Sequence, residues 1–287
     1  MNNEKDNFPI EKMAKTLGIS KNSYYIWLKK KKSHKRARET ILVNQIKEIF
    51  RKSDSTFGYL RVTKEIRKKE IHNKKKIQRI IQENSLFAVQ SRSFRPQTTI
   101  VDDNAVFSPN LLNQNFCVDS PDKVWVSDIT YIKVNGNFMY LCIIMDLYSR
   151  KIVGWSMKNH MKTSLLTSAF IKAIRCRNPA PGLIFHSDRG VQYTSNVFKK
   201  LLKLKKVIQS MSRTGNCYDN ACAESFFSSL KREKIYRYKT IESISKAHSI
   251  VFHYIEIFYN KYRLHSFLNY KSPKEFEVTA QKVGTRS

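Results

Sequence analysis

The sequence predicts an α/β chain in which small all-α units precede a core built on a mixed sheet. Three observations predict it. The first ninety residues are mostly helical in pattern, with apolar residues three and four apart, and the pattern changes to strand-like runs from residue 122. Asn135-Gly136 sits between two apolar runs, a strong two-residue hairpin signal. Basic charge is loaded at the front: residues 1–100 hold 25 Lys and Arg against 9 Asp and Glu, a net +16 of the chain's +30.

A chain of 287 residues with 41% hydrophobic and 12% aromatic content is long enough for two or three domains with real cores, and does not read as disordered. A net charge of +30 suits a polyanionic partner, with nucleic acid first and an anionic membrane surface or a ribosome behind it. Solubility alone is the plainer reading of that charge. The five cysteines (Cys117, Cys142, Cys176, Cys217 and Cys222) form no C-x-x-C pair and are odd in number. That argues against a disulfide scaffold and a zinc knuckle. No apolar run reaches the roughly 18 residues of a membrane helix, and the N-terminus has no signal-peptide core, so the expected compartment is the cytoplasm.

A helix-turn-helix-like segment is expected over 1–32. Ile10, Met13, Ala14 and Leu17 keep helical spacing, Gly18 ends that helix, and Ser20 caps a second one carrying Tyr24, Tyr25, Trp27 and Leu28. Many helical hairpins look alike, so the segment alone does not establish DNA binding. A basic trihelical unit follows over 33–90. Leu42, Ile46, Ile49 and Phe50 form one stripe and Val62 and Ile66 a second. Asn73 caps a third helix with Ile77, Ile80 and Ile81 inward. Lys74, Lys75, Lys76 and Arg79 belong to a dense basic connection that reads as a phosphate-contacting surface, or as a solvated face. Residues 91–118 are polar and aperiodic and read as a linker.

The core is expected over 119–235. Val124–Val134 reads as a strand, Phe138–Tyr148 as its return, and Ile152–Met157 as a third. A helix follows near 163–175, then a short strand ending at His186-Ser187-Asp188. Next come a helix near Asn196–Leu204, a strand at Val207–Ser210, and a helix from Asn220 to Lys231. Three antiparallel strands followed by alternating helices and strands is the order of a ribonuclease-H-like domain. A last helix, about Ile241–Tyr262, opens a C-terminal segment over 236–287.

Cutting and joining phosphodiesters needs an activated hydroxyl and a stabilised leaving oxygen, and two divalent ions held by converging carboxylates supply both. Asp128 lies within an apolar strand, where an acid is costly unless paired or metal-bound. Asp188 lies at the carboxyl end of a buried strand, where ligands gather in α/β sheets. Glu224 and Lys231 are seven residues apart and share a helix face. Each has a plainer reading: a solvent-facing acid, a turn residue, a surface pair. Asp146 and Asp219 are rival acids.

Read together, these residues resemble a known family. Asp128, Asp188 and Glu224, the last two separated by 35 intervening residues, resemble a DDE pattern. Trp125–Ile132, His186–Tyr193 and Ser210–Phe227 are similar to the three acidic blocks of bacterial insertion-sequence transposases with a retroviral-integrase-type core. Lys231, Tyr259-Asn260, Arg263, His265 and Tyr270–Pro273 resemble that family's basic residue and tail block. Phe57-Gly58-Tyr59 and Arg61 resemble its preceding helical domain. The chain looks like the second-frame product of a two-frame transposase.

The resemblance implies a DNA transposase catalysing strand cleavage and strand transfer at insertion-sequence ends. Asp128, Asp188 and Glu224 would hold two Mg²⁺ or Mn²⁺, with Lys231 at a phosphate. Water would free a 3′-hydroxyl that attacks a second phosphodiester, giving a branched and then circular element. Arg213 and Asn216 would contact DNA, Arg263 and His265 would bind phosphate or serve structure, and His186 would orient Asp188, touch DNA, or serve structure alone. The partners implied are double-stranded DNA (terminal repeats and target), further copies of the chain, and the first-frame product or a frameshift fusion. Val191 departs from the small polar residue usual in the family, and no sustained heptad or His/His/Cys/Cys zinc arrangement is present. A non-cutting DNA-binding regulator and a ribonuclease-H-like nuclease are the alternatives.

Overall fold

The computed structural model describes residues 1–89, 107–113, 115–213 and 220–284, with the backbone alone over 31–36 and 282–284. Asn216, Asp219 and most of the expected linker lie outside the described residues. The chain divides into two compact units, Met1–Ala88 and Val89–Ser287.

In the first unit, α1 (Ile10–Thr16) leads into α2 (Lys21–Lys52), whose start is capped by the Ser20 hydroxyl accepting from the Asn22 N–H. The sequence reading separates two helical units near residue 32, but one 32-residue helix runs through that point. The stretch 29–38 holds no Gly or Pro, and its Lys and Arg residues favour helix, so nothing there ends it. The later part of α2 joins α3 (Tyr59–Ile66) and α4 (Lys74–Glu83). Leu42, Ile46, Phe50, Phe57, Val62, Ile66, Ile77 and Ile80 are buried there. Ile49 is only half-buried, and Leu17 of the first stripe is exposed.

The second unit is built on five strands: β1 (Val124–Val134), β2 (Asn137–Asp146), β3 (Ile152–Lys158), β4 (Ile184–Ser187) and β5 (Ile208–Met211). Their order is β3-β2-β1-β4-β5. The first three pair antiparallel, and β4 and β5 add in parallel. This is the ribonuclease-H-like mixed sheet expected from the element order. Asn135 and Gly136 both take positive φ, the primed geometry whose twist matches a hairpin.

Helices α5 (Thr163–Arg177), α6 (Val191–Thr194) and α7 (Asn196–Leu204) follow in the same unit. Trp125, Cys142, Ile144 and Phe185 of the sheet share one core with Leu166, Phe170, Tyr193 and Phe198 of these helices. Phe170, Phe185 and Phe198 meet edge to face with centroids 5.3–5.5 Å apart. Strand alternation sends Val126 and Asp128 to the other face, where α8 (Ala221–Glu233) packs on β1.

Both sheet edges are covered. Part of the expected linker lies against β5: Met211 N–H donates to Pro109 C=O, and Leu111 N–H to the Ser210 hydroxyl at 2.9 Å. An edge strand's unpaired backbone groups account for this ordering. At β3, the Asn260 side chain accepts from Ile152 N–H and donates to Ile152 C=O, both at 2.9 Å. Asn260 follows the C-terminal helix, which is α9 (Ile244–Phe252) continued by a π-helical stretch His253–Tyr259. A further helix, α10 (Pro273–Gly284), was not read from the sequence. Its signal was present: Ser272 and Glu275 bond each other's backbone N–H reciprocally, a capping box, with Pro273 at the first helical position. No helix among the described residues is long and apolar enough to cross a membrane.

Gly154 of β3 lets α5 approach the sheet. An added Cβ would lie 2.5 Å from Ala169 C=O and 2.9 Å from Ala173 N, both backbone atoms of α5. Gly154→Ala is therefore expected to lower stability by about 3 kcal/mol, the upper range for overpacking, seen as an earlier urea midpoint. An unchanged midpoint would show that α5 yields freely.

Candidate active site

The parallel ladder between β1 and β4 sets the site. Val124 pairs with Ile184, Trp125 with Phe185 and Val126 with His186, each partner numbered sixty higher. Carried two residues on, that register sets Asp188 beside Asp128, on chains about 4.8 Å apart. β4 stops at Ser187, so Asp188 sits at its carboxyl end while Asp128 lies inside the longer β1.

Both carboxylates are half-buried. One oxygen of each is held by backbone: Asp128 Oδ1 accepts from Ile129 N–H at 2.7 Å, and Asp188 Oδ1 from Gly190 N–H at 3.0 Å. Burial first, then the negative charge of Asp188, holds the Asp128 carboxyl well above the usual carboxylate range. The Ile129 N–H opposes this, and Glu224 adds to it. Burial raises Asp188 too, against the Gly190 N–H.

α8 supplies the other two groups. Glu224 is exposed in its first turn, near enough for its charge to act on Asp128. Lys231 is half-buried, with its ammonium 4.8 Å from the centre of the Tyr131 ring. Burial lowers its pKa and Asp128 pulls it back up. Asn220, just before α8, is buried and donates from Nδ2 to Ser127 C=O at 3.3 Å, tying the helix start to β1. Among the described residues, no three acidic, histidine or cysteine side chains stand as a ready-made metal cage.

The floor beneath is polar and bonded. Ser127 Oγ lies 3.0 Å from the Tyr193 hydroxyl, and His186 is fully buried with its ring nitrogens 2.9 and 3.2 Å from Ser210 and Ser212 Oγ. Ser127, Tyr193 and Asn220 were not singled out from sequence, because their roles depend on contacts 66 and 93 residues apart.

Comparison with known proteins shows the family of the chain. Integrase core domain models match residues 118–217 and 205–273, and an HTH-like domain model matches 36–94. The transposase for insertion sequence element IS904 of Lactococcus lactis is 39% identical over 85% of this chain and 96% of its own length. The chain belongs to the insertion-sequence transposases. Transposase InsF for insertion sequence IS3A of Escherichia coli is 35% identical over 94% of both chains. Among solved structures, the HTLV-2 integrase catalytic core domain in complex with magnesium aligns over 55% of this chain and 97% of its own, at 16% identity and a TM-score of 0.43.

The transposase does not use every residue as its sequence suggested. Arg263, expected on DNA, is buried and grips Glu233 with two nitrogens, so it is a core residue. Arg79 is exposed, but its guanidinium already pairs with Glu39 at 2.6 Å and Glu83 at 2.8 Å. His186 is enclosed and cannot touch DNA. The rival Asp146 is fully buried and accepts from Asp122 N–H and from the N–H and hydroxyl of Ser149, which makes it a turn-holding residue. Lys74 and Lys75 are exposed, Lys76 is half-buried, and Arg213 is exposed beside Asn113.

The raised Asp128 carboxyl has a consequence for stability. A carboxyl raised in the folded state holds its proton more tightly there than in the unfolded chain. Stability therefore falls as pH climbs from the ordinary value to the raised one. With EDTA present, Asp128→Asn is expected to melt higher than wild type at pH 7. The gap should be about 2–4 °C, the shift one kcal/mol gives a 150–250-residue domain, closing towards about pH 4. Equal melting at pH 7 would remove carboxylate repulsion as a feature of the site.

Proposed function

We propose that this transposase cleaves and joins DNA strands at insertion-sequence ends, with Asp128, Asp188 and Glu224 as the ligands of two Mg²⁺ or Mn²⁺ ions. The register that sets Asp188 beside Asp128 carries the reading. The donor chemistry fits hard divalent cations: oxygen only, with the second oxygen of Asp128 and of Asp188 making no hydrogen bond among the described residues. A cation would also relieve the repulsion that raises Asp128. When bound, such ions activate the attacking oxygen and stabilise the leaving one.

The chain's own residues do the rest. Asp128 and Asp188 are oriented by their backbone N–H partners, so their open oxygens need no reorganisation. Lys231, braced over Tyr131, is placed to take a phosphate oxygen next to Asp128. Water frees a 3′-hydroxyl at the element end, and that hydroxyl attacks a second phosphodiester. The scheme has no covalent enzyme intermediate, so it asks for no Ser or Tyr nucleophile. Lys74, Lys75, Lys76 and Arg213 bind the DNA backbone, and several copies act together on the DNA, with or without the first-frame product.

The test is strand cleavage and joining on labelled element-end DNA with Mg²⁺, wild type against Asp188→Asn. Joined product is expected from wild type. A loss of more than about 1000-fold is expected in the variant, the order seen when a charge-stabilising group leaves a reacting centre. Cleavage without joining would mean a nuclease. Binding without chemistry, also in a fused two-frame protein, would mean a regulator.

A further inference from the structure

We propose that Arg263 and Glu233 form a clamp on the back of α8 that sets the rotation of Glu224 and Lys231 against Asp128. This rests on the reading of Asp128, Asp188 and Glu224 as the metal-binding set.

The geometry comes from one helix and one tail segment. At about 100° per residue, Lys231 lies within about 20° of Glu224 around α8. Ser229 and Glu233, five and nine residues on, lie about 140° and 180° away, on the opposite face. That opposite face is gripped. Arg263 Nε and Nη2 reach Glu233 Oε2 and Oε1 at 2.8 and 2.7 Å, and Nη2 also donates to Ser229 Oγ at 3.1 Å. The Tyr254 hydroxyl donates to Glu233 Oε2 at 2.9 Å. Glu233 and Arg263 are each 5% exposed. With Asn220 bonded to Ser127 C=O at the other end, α8 is held at both ends.

Stability does not explain such an arrangement. A buried ion pair stabilises little or nothing relative to well-packed apolar residues, because both charges lose their water. What it supplies is direction: a bidentate guanidinium–carboxylate contact has one geometry. A helix free to turn by one residue's angle would carry Glu224 off the site. The clamp removes that freedom, and it reaches α8 from a segment that follows the π-helical stretch His253–Tyr259, where the extra residue per turn resets the facing of what comes after. Arg263 and Glu233 are thus positioning residues acting through Glu224.

The experiment uses the full chain and three variants: Arg263→Lys, Tyr254→Phe and Glu224→Gln. Mn²⁺ affinity is measured by electron paramagnetic resonance titration without DNA, alongside melting temperature and strand joining. Arg263→Lys keeps the charge and loses the fork. It is expected to weaken Mn²⁺ binding by about tenfold, as removal of a group that orients a ligand does, with joining restored at high Mn²⁺ and unchanged affinity for DNA. Tyr254→Phe removes one hydrogen bond and no charge, and shifts Mn²⁺ affinity the same way by less. Wild-type Mn²⁺ affinity in folded Arg263→Lys overturns the clamp. If that variant does not fold, wild-type affinity in Tyr254→Phe overturns it. A lower melting temperature with unmoved Mn²⁺ affinity also overturns it, leaving only a packing role. Glu224→Gln separates the two levels: if it binds Mn²⁺ and joins strands like wild type, the metal-site reading itself falls.

Discussion

Two carboxyl groups stand side by side, Asp128 inside β1 and Asp188 just past the end of β4, and the rest of this unit is arranged to keep them there. The β1–β4 register, carried two residues past Val126 and His186, sets them level. Left alone they would move apart or take up a proton. Each is instead pinned by a backbone N–H, and the chain beneath is fixed by Ser127 on Tyr193 and by His186 between Ser210 and Ser212. Buried polar networks of this kind hold only when their members are satisfied. The aromatic cluster of Phe170, Phe185 and Phe198 packs the opposite face of the same sheet.

Much of this was legible in the sequence, for reasons that can be named. β1 showed as an apolar run broken by one acid, and the turn after it as Asn135-Gly136, because both features are local. The spacing of Asp188 and Glu224 showed because a resemblance to a family joined residues that no local rule connects. The trihelical core showed at Leu42, Ile46 and Phe50 through period alone. What stayed hidden is non-local. Arg263 reads from sequence as either a phosphate contact or a structural residue, because its partner Glu233 lies 30 residues away. The linker looked empty because its partner is the β5 edge, about 100 residues on. The missing break in α2 is a different failure: a change of role near residue 32 was read as a change of structure. The capping box of α10, by contrast, is local and stands in Ser272-Pro273-Lys274-Glu275.

The C-terminal segment illustrates how the core is completed. Without it, β3 would be an open edge, α8 would lack its rear contacts, and the β2–β3 turn would be loose. Asn260 caps the start of that edge, its side-chain amide bonding both backbone groups of Ile152. Arg263 holds α8. Glu277 of α10 binds Lys151 at 2.8 Å and Arg177 at 3.0 Å, and lies 2.9 Å from the Ser149 hydroxyl, which it shares with Asp146. Each contact joins the tail to a different part of the sheet unit. The tail therefore acts as the last layer of the catalytic fold, and the sequence boundary near residue 236 does not mark an independent piece.

Arg263 and Arg79, both paired with acids of the chain itself, bear on what a basic sequence implies. The chain has 53 Lys and Arg against 23 Asp and Glu. Every internal pair, such as Arg263 with Glu233 or Arg79 with Glu83, removes one charge of each sign and leaves the surplus of 30 untouched. The argument for a polyanionic partner therefore survives the loss of any particular contact, because it rests on a sum. The identity of the contacting residues does not follow from the sum. Arginine, whose planar fork matches a carboxylate, is the base most readily taken into internal pairs, and lysine, a mobile point charge, is the one most readily left for phosphate. On that ground the exposed Lys74 and Lys75 are stronger candidates for the proposed DNA contacts than either arginine.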